Sequence, residues 1–192
     1  MENNNSTFKE FISPILVLVV ICFVTTFLLA FTYGITAPII AENTAKAASE
    51  ARMELLPDAD NFSPSDANPY ILEDGKVYVE DCYVADNGAG IVVTVKSNSY
   101  GGMLTAMVGI DKDGAITGVK VTDHADTPGV GTKAHDPGHL SQYIGHTELG
   151  SDVIKAHADD IVEVTGASVS SGAVHKAVYC ALAQFDAMGG VK

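Results

Sequence analysis

The 192-residue sequence has little positive charge, and its few basic residues are not clustered. It contains 11 Lys and Arg against 24 Asp and Glu, which gives a formal net charge of −13. Proteins that bind nucleic acid need groups of Lys and Arg to neutralise the phosphate backbone. The acidic balance and the scattered basic residues therefore exclude a nucleic-acid-binding role.

Cysteine is also scarce. The three cysteines are too few for a disulfide framework, and none forms a spacing typical of a zinc or iron–sulfur site. Cys22 lies in a long apolar run, whereas Cys82 and Cys180 lie between apolar neighbours. A Cys82–Cys180 disulfide is one interpretation for a domain outside the cytoplasm. Two buried thiols are the preferred interpretation.

Several common functional motifs are missing or incomplete. The run Asp111-Lys112-Asp113-Gly114 begins like a calcium loop, but Thr122 stands at the twelfth position, where a bidentate Glu is needed. A hairpin turn is the favoured interpretation. His135 and His139 are four residues apart, but the Pro-Gly between them precludes a helical metal pair. No Gly-x-Ser-x-Gly elbow supports a hydrolase.

A long apolar run near the N-terminus accounts for much of the hydrophobic content. Phe11 to Tyr33 contains no charged residue, and Pro38 follows its end. About 20 such residues span a bilayer as one helix. A cleaved signal peptide would need a basic start and a shorter apolar core, so a retained anchor is favoured. Lys9 precedes the run and Lys46 follows it, which places the N-terminus in the cytoplasm and the rest outside.

The remaining pattern predicts an α+β fold, in which a mostly antiparallel sheet packs against helices outside the membrane. An Ala- and Glu-rich helix continues from the membrane and ends before Pro57. An amphipathic helix over Ser170–Met188 follows the sheet, and a short helix over Leu140–Ile144 lies between them. The predicted strands are Tyr70–Glu73, Lys76–Tyr83, Ile91–Lys96, Leu104–Ile110 and Ile116–Thr122.

These segments divide the chain into four parts. Residues 1–10 are a cytoplasmic N-terminus, 11–35 a transmembrane helix, 36–68 a juxtamembrane helix with a polar linker, and 69–192 the extracytoplasmic domain.

Three clusters of small residues lie at junctions between the predicted elements. Glycines allow close backbone approach, and hydroxyls at a helix N-terminus either cap the helix or border an anion site. Each cluster alone is more often a turn or a cap, but together they suit a planar, phosphate-bearing ligand. The clusters comprise Tyr100, Gly101 and Gly102; Asp126, Thr127, Pro128, Gly129, Val130, Gly131, Thr132 and Lys133; and Thr165, Gly166, Ala167, Ser168, Val169, Ser170 and Ser171. All of them except Asp126, Val169, Ser170 and Ser171 are predicted site residues.

The apolar span, Leu55-Leu56-Pro57, Ser99-Tyr100-Gly101-Gly102 and the two later clusters occur in an order that resembles RnfG, a component of the Rnf electron-transport complex. That family is related to NqrC of the sodium-pumping NADH:quinone oxidoreductase. The resemblance implies an extracytoplasmic domain that carries FMN, joined through its phosphate to a hydroxyl in a Ser/Thr-Gly-Ala-Thr motif. The matching hydroxyl is Ser168, where the family usually has Thr. Val162 stands where the family often has Asp.

The resemblance also implies a role and partners. The protein is expected to relay electrons in a complex that links reduced ferredoxin and NAD⁺ to Na⁺ or H⁺ movement, with no catalytic residues of its own. Its expected partners are the other Rnf subunits and a flavin transferase. FMN held noncovalently in the same pocket is the alternative mode of binding. The alternative function is a membrane-anchored module that binds a small ligand without redox chemistry.

Overall fold

A computed structural model describes residues 12–72, 75–150 and 161–191. The predicted cytoplasmic segment, residues 1–10, lies outside this described part. The chain forms two compact units, Met1–Ala48 and Ser49–Lys192. The second unit therefore begins before residue 69, where the sequence pattern placed the start of the domain.

The first helix, α1, runs over Ser13–Leu55 and contains Pro38. Its most apolar 18-residue window has a mean hydropathy of 2.9, and none of that window is buried. It is the one helix in the described part of the chain that is long and apolar enough to cross a membrane. The hydroxyls of Thr25, Thr32 and Thr36 each donate to the carbonyl four residues earlier, at 2.8–3.0 Å. These bonds satisfy the threonine hydroxyls in the apolar first part of the helix.

The second unit is built on one antiparallel sheet, as the sequence predicted. Its order is β1-β3-β4-β5-β6, and β2 pairs with β3 off this path. Neighbouring strands pair antiparallel throughout. The strands are β1 (Phe62–Pro64), β2 (Ile71–Leu72), β3 (Val77–Ala85), β4 (Gly90–Ser99), β5 (Gly102–Asp111) and β6 (Ile116–Asp123).

Two details of the sheet differ from or refine the sequence interpretation. Strand β1 lies in the segment that the sequence pattern assigned to a linker, and it pairs with β3 at the edge, where Pro64 is tolerated. The run after β5 is a turn, because Asp111 Oδ1 accepts from the N–H groups of Asp113 and Ala115, both at 2.9 Å. Its carboxylate is therefore used by the turn.

Helix α3 (Ser168–Met188) contributes the apolar face that the sequence pattern indicated. Val174, Ala177, Val178 and Ala181 are fully buried and share a core cluster with residues of β3, β4, β5 and β6. A second cluster joins the last residues of α1 to the sheet and consists of Ala51, Leu55, Leu56, Ala59, Ala85, Val92 and Met107.

A short helical region connects β6 to the segment that precedes α3. It comprises a 3₁₀ turn over Gly131–His135, helix α2 (Pro137–Leu140) and a second 3₁₀ turn over Ser141–Tyr143. The helical region predicted over Leu140–Ile144 thus begins earlier, because Pro137 starts it.

Cys82 and Cys180 are buried free thiols, which agrees with the preferred interpretation of the sequence. Burial raises the pKa of Cys82 to about 11 and that of Cys180 to about 12. Both side chains are therefore protonated thiols at neutral pH.

Candidate functional site

A cavity of about 490 Å³ lies where the three small-residue clusters meet. Pockets for small ligands and cofactors have volumes of about 300–1,000 Å³, so this cavity is within the usual range. Its lining combines apolar groups, glycine and hydroxyls, and comprises Tyr100, Thr127, Val130, Gly131, Gly166, Ala167, Ser168, Val169 and Ser170.

The N-terminus of α3 forms one wall of the cavity. Ala167 occupies the N-cap position and has no side-chain cap hydrogen bond, and the Ser171 N–H donates to the Ala167 carbonyl at 2.9 Å. The first backbone N–H groups of a helix have no intrahelical acceptor and can bind an anion. Of the two roles that the sequence left open for these hydroxyls, they do not cap the helix, because Ala167 is the N-cap residue and helix α3 begins at Ser168.

The hydroxyls around this helix start have different surroundings. Ser168 and Thr165 are exposed, whereas Ser170 and Ser171 are buried. Ser171 Oγ accepts from the Val164 N–H at 3.0 Å, and the Ser170 hydroxyl lies beside Asp126. Ser168 is therefore the exposed hydroxyl in the lining at the first turn of α3.

A buried carboxylate, Asp126, lies behind the cavity and contacts several of its walls. Its Oδ2 accepts from the Ser99 hydroxyl at 2.6 Å, and its Oδ1 accepts from the Gly101 N–H at 2.9 Å. The His135 ring nitrogen Nε2 lies 3.2 Å from Oδ2, but not in the direction of a hydrogen bond. That contact is therefore electrostatic.

The charge states of this group follow from its partners. Burial alone would raise the pKa of Asp126, but hydrogen bonds from Ser99 and Gly101, together with the neighbouring Ser170 hydroxyl and His135, outweigh burial and lower it. Burial, followed by the neighbouring His124, lowers the pKa of His135, and Asp126 offsets part of that effect. The site thus contains an ionised Asp126 and a neutral His135 at neutral pH.

Two glycines allow the cavity walls to approach one another. A Cβ on Gly101 would lie 2.1 Å from the Ala125 carbonyl oxygen. A Cβ on Gly131 would lie 2.8 Å from both Asp126 Cβ and Ser170 Oγ. Any larger residue would force these segments apart.

The segment that enters the site is held by a side-chain amide. Gln142 Oε1 accepts from the Val162 N–H at 2.8 Å, and Gln142 Nε2 donates to the Val162 carbonyl at 3.3 Å. This pair of bonds resembles backbone pairing and fixes the chain just before the Thr165 turn. At Gly166 the backbone φ is +85°, a conformation that favours glycine.

The structure separates the predicted site residues into two sets. Seven line the cavity: Tyr100, Thr127, Val130, Gly131, Gly166, Ala167 and Ser168. The others do not line it: Gly101, Gly102, Pro128, Gly129, Thr132, Lys133 and Thr165. Some of these shape the turns instead, since the Gly129 N–H donates to Thr132 Oγ1 at 2.9 Å.

Asp126, Val169 and Ser170 lie within the sequence clusters but were not predicted as site residues, and no sequence feature indicated a role for His135. Val169 and Ser170 could have been inferred from their place in the first turn of α3. Asp126 had no comparable local signal, because its partner Ser99 is 27 residues away.

Comparisons with known proteins place this site in a family. A family model described as FMN-binding domain matches residues 99–183, a range that includes every residue lining the cavity. A second model, described as the RnfG N-terminal region, matches residues 16–55. The G component of the ion-translocating oxidoreductase complex of Methanosarcina acetivorans is 31% identical over 95% of this chain and 98% of its own. The chain belongs to the RnfG family.

Two other relatives also match most of this chain. The G component of the Na⁺-translocating ferredoxin:NAD⁺ oxidoreductase complex of Acetobacterium woodii is 31% identical, covering 85% of this chain and 86% of its own. The proton-translocating counterpart of Clostridium ljungdahlii is 28% identical, covering 91% of each chain. Crystalline NqrC of Shewanella oneidensis matches 57% of this chain and 58% of its own, with a TM-score of 0.44 and 22% identity.

Proposed function

We propose that this chain is an electron-relay component of an Rnf-type, ion-translocating ferredoxin:NAD⁺ oxidoreductase complex, and that it carries FMN attached to Ser168. The observation that supports this most directly is that the cavity lies within the part of the chain that matches the FMN-binding domain. The match to the FMN-binding domain, residues 99–183, contains the whole cavity and the exposed Ser168 hydroxyl in its lining.

The residues present suit the cofactor. The cavity volume is adequate, and the start of α3 offers backbone N–H groups and the positive end of the helix dipole to a phosphate. Tyr100, Val130 and Val169 supply apolar surface at the same cavity and are themselves about half exposed or more. Such surface suits an aromatic ring system.

Ser168 is the favoured attachment residue among the neighbouring hydroxyls. Ser170 lies beside Asp126 and Ser171 Oγ accepts from the Val164 N–H, and both serines are buried. Thr165 is exposed but is not part of the cavity lining. A phosphoester needs an accessible hydroxyl oxygen, and Ser168 provides it.

When bound, FMN supplies the redox chemistry, since its ring system accepts and releases electrons. The chain's own residues hold the phosphate, pack against the ring and fix the geometry of the walls. We further propose that helix α1 anchors the chain in the membrane with the FMN domain outside, that the other Rnf subunits are its partners, and that a flavin transferase attaches the cofactor.

Ser168 can be tested with a denaturing gel of the natively expressed complex, viewed under ultraviolet light. We expect a fluorescent band near the mass of the chain, 20.1 kDa, because only a covalently bound flavin survives denaturation. Ser168→Ala should remove the band. Ser168→Thr should retain it, and Thr165→Ala is the matched control in the exposed neighbouring hydroxyl.

The outcomes separate the alternatives. Fluorescence that persists in Ser168→Ala would contradict attachment at this residue. If the band is lost but flavin still copurifies and electron transfer persists, FMN binds noncovalently. A complex that contains no flavin in this chain would instead favour the membrane-anchored ligand-binding module.

A further inference from the structure

The walls of the cavity meet one another through a single carboxylate. The Ser99 hydroxyl at the end of β4 and the Gly101 N–H in the following turn both donate to Asp126, which itself follows β6. The Ser170 hydroxyl, from the first turn of α3, lies beside the same carboxylate. Three segments that are distant in sequence thus meet at one side chain.

The burial of this carboxylate needs a reason. Its side chain is only 1% exposed, and a buried charge is costly unless it is hydrogen-bonded. Its nearest candidate counter-charge, His135, has a pKa lowered by burial and is neutral at neutral pH. The stabilisation of Asp126 therefore comes mainly from the donors in the cavity walls.

The packing around Asp126 leaves little room for rearrangement. A Cβ on Gly131 would lie 2.8 Å from Asp126 Cβ and 2.8 Å from Ser170 Oγ. The cavity residue Gly131 is therefore in close contact with both the carboxylate and its α3 partner. A substitution at Asp126 should therefore alter the packing of Gly131 on the cavity side.

We propose that Asp126 is a positioning residue of the FMN site: its hydrogen bonds hold the Tyr100 turn, and its packing against Gly131 and Ser170 holds the first turn of α3, in the geometry that receives the cofactor. This inference rests on the proposed function for the identity of the ligand. It assigns no contact between Asp126 and FMN, because Asp126 does not line the cavity.

A consequence is that Ser99 and Ser170 are coupled through Asp126. Removing the Ser99 hydroxyl leaves one lone pair of the carboxylate unsatisfied and loosens the side chain against which Gly131 and Ser170 pack. Neither serine needs to touch the other for this coupling to occur. Local opening at α3 should therefore respond to a substitution in the β4–β5 turn.

The first measurement is amide hydrogen exchange by mass spectrometry on the full chain in detergent, without added flavin. Asp126→Ala should accelerate exchange in segments 99–102 and 168–171 by at least about tenfold, since hydrogen bonds to a charged group contribute about 1.5–3 kcal/mol. Asp126→Asn, which keeps one acceptor oxygen, should have a smaller effect. Asp123→Ala, an exposed carboxylate at the end of β6, is the matched control and should change neither segment.

Ser99→Ala tests the coupling. Ser99→Ala should accelerate exchange in segment 168–171, although Ser99 lies outside that segment. In a chain that already carries Asp126→Ala, adding Ser99→Ala should have no further effect on this segment. The central β4–β5 segment, residues 91–96, reports on global unfolding and should keep its protection in every variant.

The second measurement is flavin content of the natively expressed complex. Asp126→Ala should lower it several-fold, and Asp123→Ala should not. Unchanged exchange in segments 99–102 and 168–171 would overturn the proposal, as would faster exchange with full flavin content. Loss of protection in residues 91–96 of both Asp126 variants would also overturn it, because Asp126 would then be a general stability residue.

Failure of the proposed function gives a different result. A wild-type complex without flavin in this chain would contradict FMN binding. The exchange data from flavin-free protein would still support or overturn the role of Asp126 in holding the two walls.

Discussion

At the scale of single residues, Gly101 and Gly131 near the cavity matter because, without a side chain, they let other segments approach closely. Gly101 and Gly131 are each closely approached by other parts of the chain, whereas Gly166 is required for its positive φ. Close approach and backbone conformation are separate reasons for glycine, and they predict different consequences of substitution. The site uses both.

Gly101→Ala should destabilise the domain. The added methyl would lie 2.1 Å from the Ala125 carbonyl oxygen and would displace the turn that donates to Asp126. We expect a loss of about 1–3 kcal/mol in the free energy of unfolding, measured by urea denaturation of the full chain.

Gly138→Ala is the control for this substitution. It lies in helix α2 with no atom within 4 Å of the added methyl, so its midpoint should stay near the wild-type value. Equal midpoints for the two variants would contradict the close approach at Gly101.

Acid should weaken the domain through His135. Burial lowers its pKa from 6.5, so the folded chain favours the neutral ring and the unfolded chain binds the proton more readily. This stability is present above pH 6.5 and is lost as the pH falls through that value. The pKa of Asp126 is lowered from 3.8, so its contribution to the free energy of unfolding is lost only as the pH falls below 3.8.

We expect the urea midpoint to fall between about pH 7.5 and about pH 5, and His135→Gln to reduce that fall. His139→Gln should also reduce it, since burial lowers the pKa of His139 too. His146→Gln, at a half-buried residue, is the control for a general effect of histidine removal. A steeper fall in His135→Gln would show that the sign is wrong.

At the scale of elements, helix ends are fastened to the sheet by specific groups. Thr117 Oγ1 donates to the Leu55 carbonyl at 2.5 Å, and Gly109 and Gly118 leave space for Leu55 beside it. The last carbonyls of a helix have no intrahelical donor, so this bond satisfies one of them. A side chain of helix α3 makes a comparable contact, because Gln184 Oε1 accepts from the Tyr70 N–H at 2.7 Å.

Thr117→Val should remove the bond to Leu55 while keeping the shape of the side chain. We expect a loss of about 1 kcal/mol in the free energy of unfolding, or somewhat more because a carbonyl is left unsatisfied. Thermal or urea denaturation provides the measurement. Thr122→Val, whose hydroxyl makes a long 3.4 Å exposed bond to Thr105, is the matched control and should change stability less.

At the scale of the whole molecule, the native cysteines leave a low background for labelling experiments. Cys82 and Cys180 are buried, with pKa values raised to about 11 and about 12, and thiolates are the reactive form. Cys22 lies within the apolar helix α1. An introduced surface cysteine is therefore a clean reporter of membrane sidedness.

Lys112→Cys lies at the exposed turn between β5 and β6 and should react with a membrane-impermeant maleimide in intact cells. Asn4→Cys, in the N-terminal segment, should react only after the membrane is opened. The physical reason is the distribution of basic residues around the apolar helix. The reverse labelling pattern would place the proposed FMN domain in the cytoplasm.

Local patterns were sufficient to predict much of the fold. Short strand-like runs separated by tight turns predicted the antiparallel sheet, and apolar residues spaced three and four apart predicted α3. The uncharged run predicted an apolar helix long enough to span a membrane. Strand β1 was missed because Phe62–Pro64 is short and ends in a proline, and its pairing with β3 is a tertiary event. Helix α1 continues through Pro38, which the sequence pattern placed beyond the span.

The amino-acid sequence by itself determined which segments are small and polar at the junctions, and their order carried the resemblance to the family. Only the tertiary structure decided how they meet: Tyr100 and Ser168 line one cavity, Lys133 does not, and Asp126 joins the walls from behind. Hydrogen bonds such as Ser99–Asp126 connect residues far apart along the chain. Periodicity and propensity describe only neighbours, so they carry no record of such contacts.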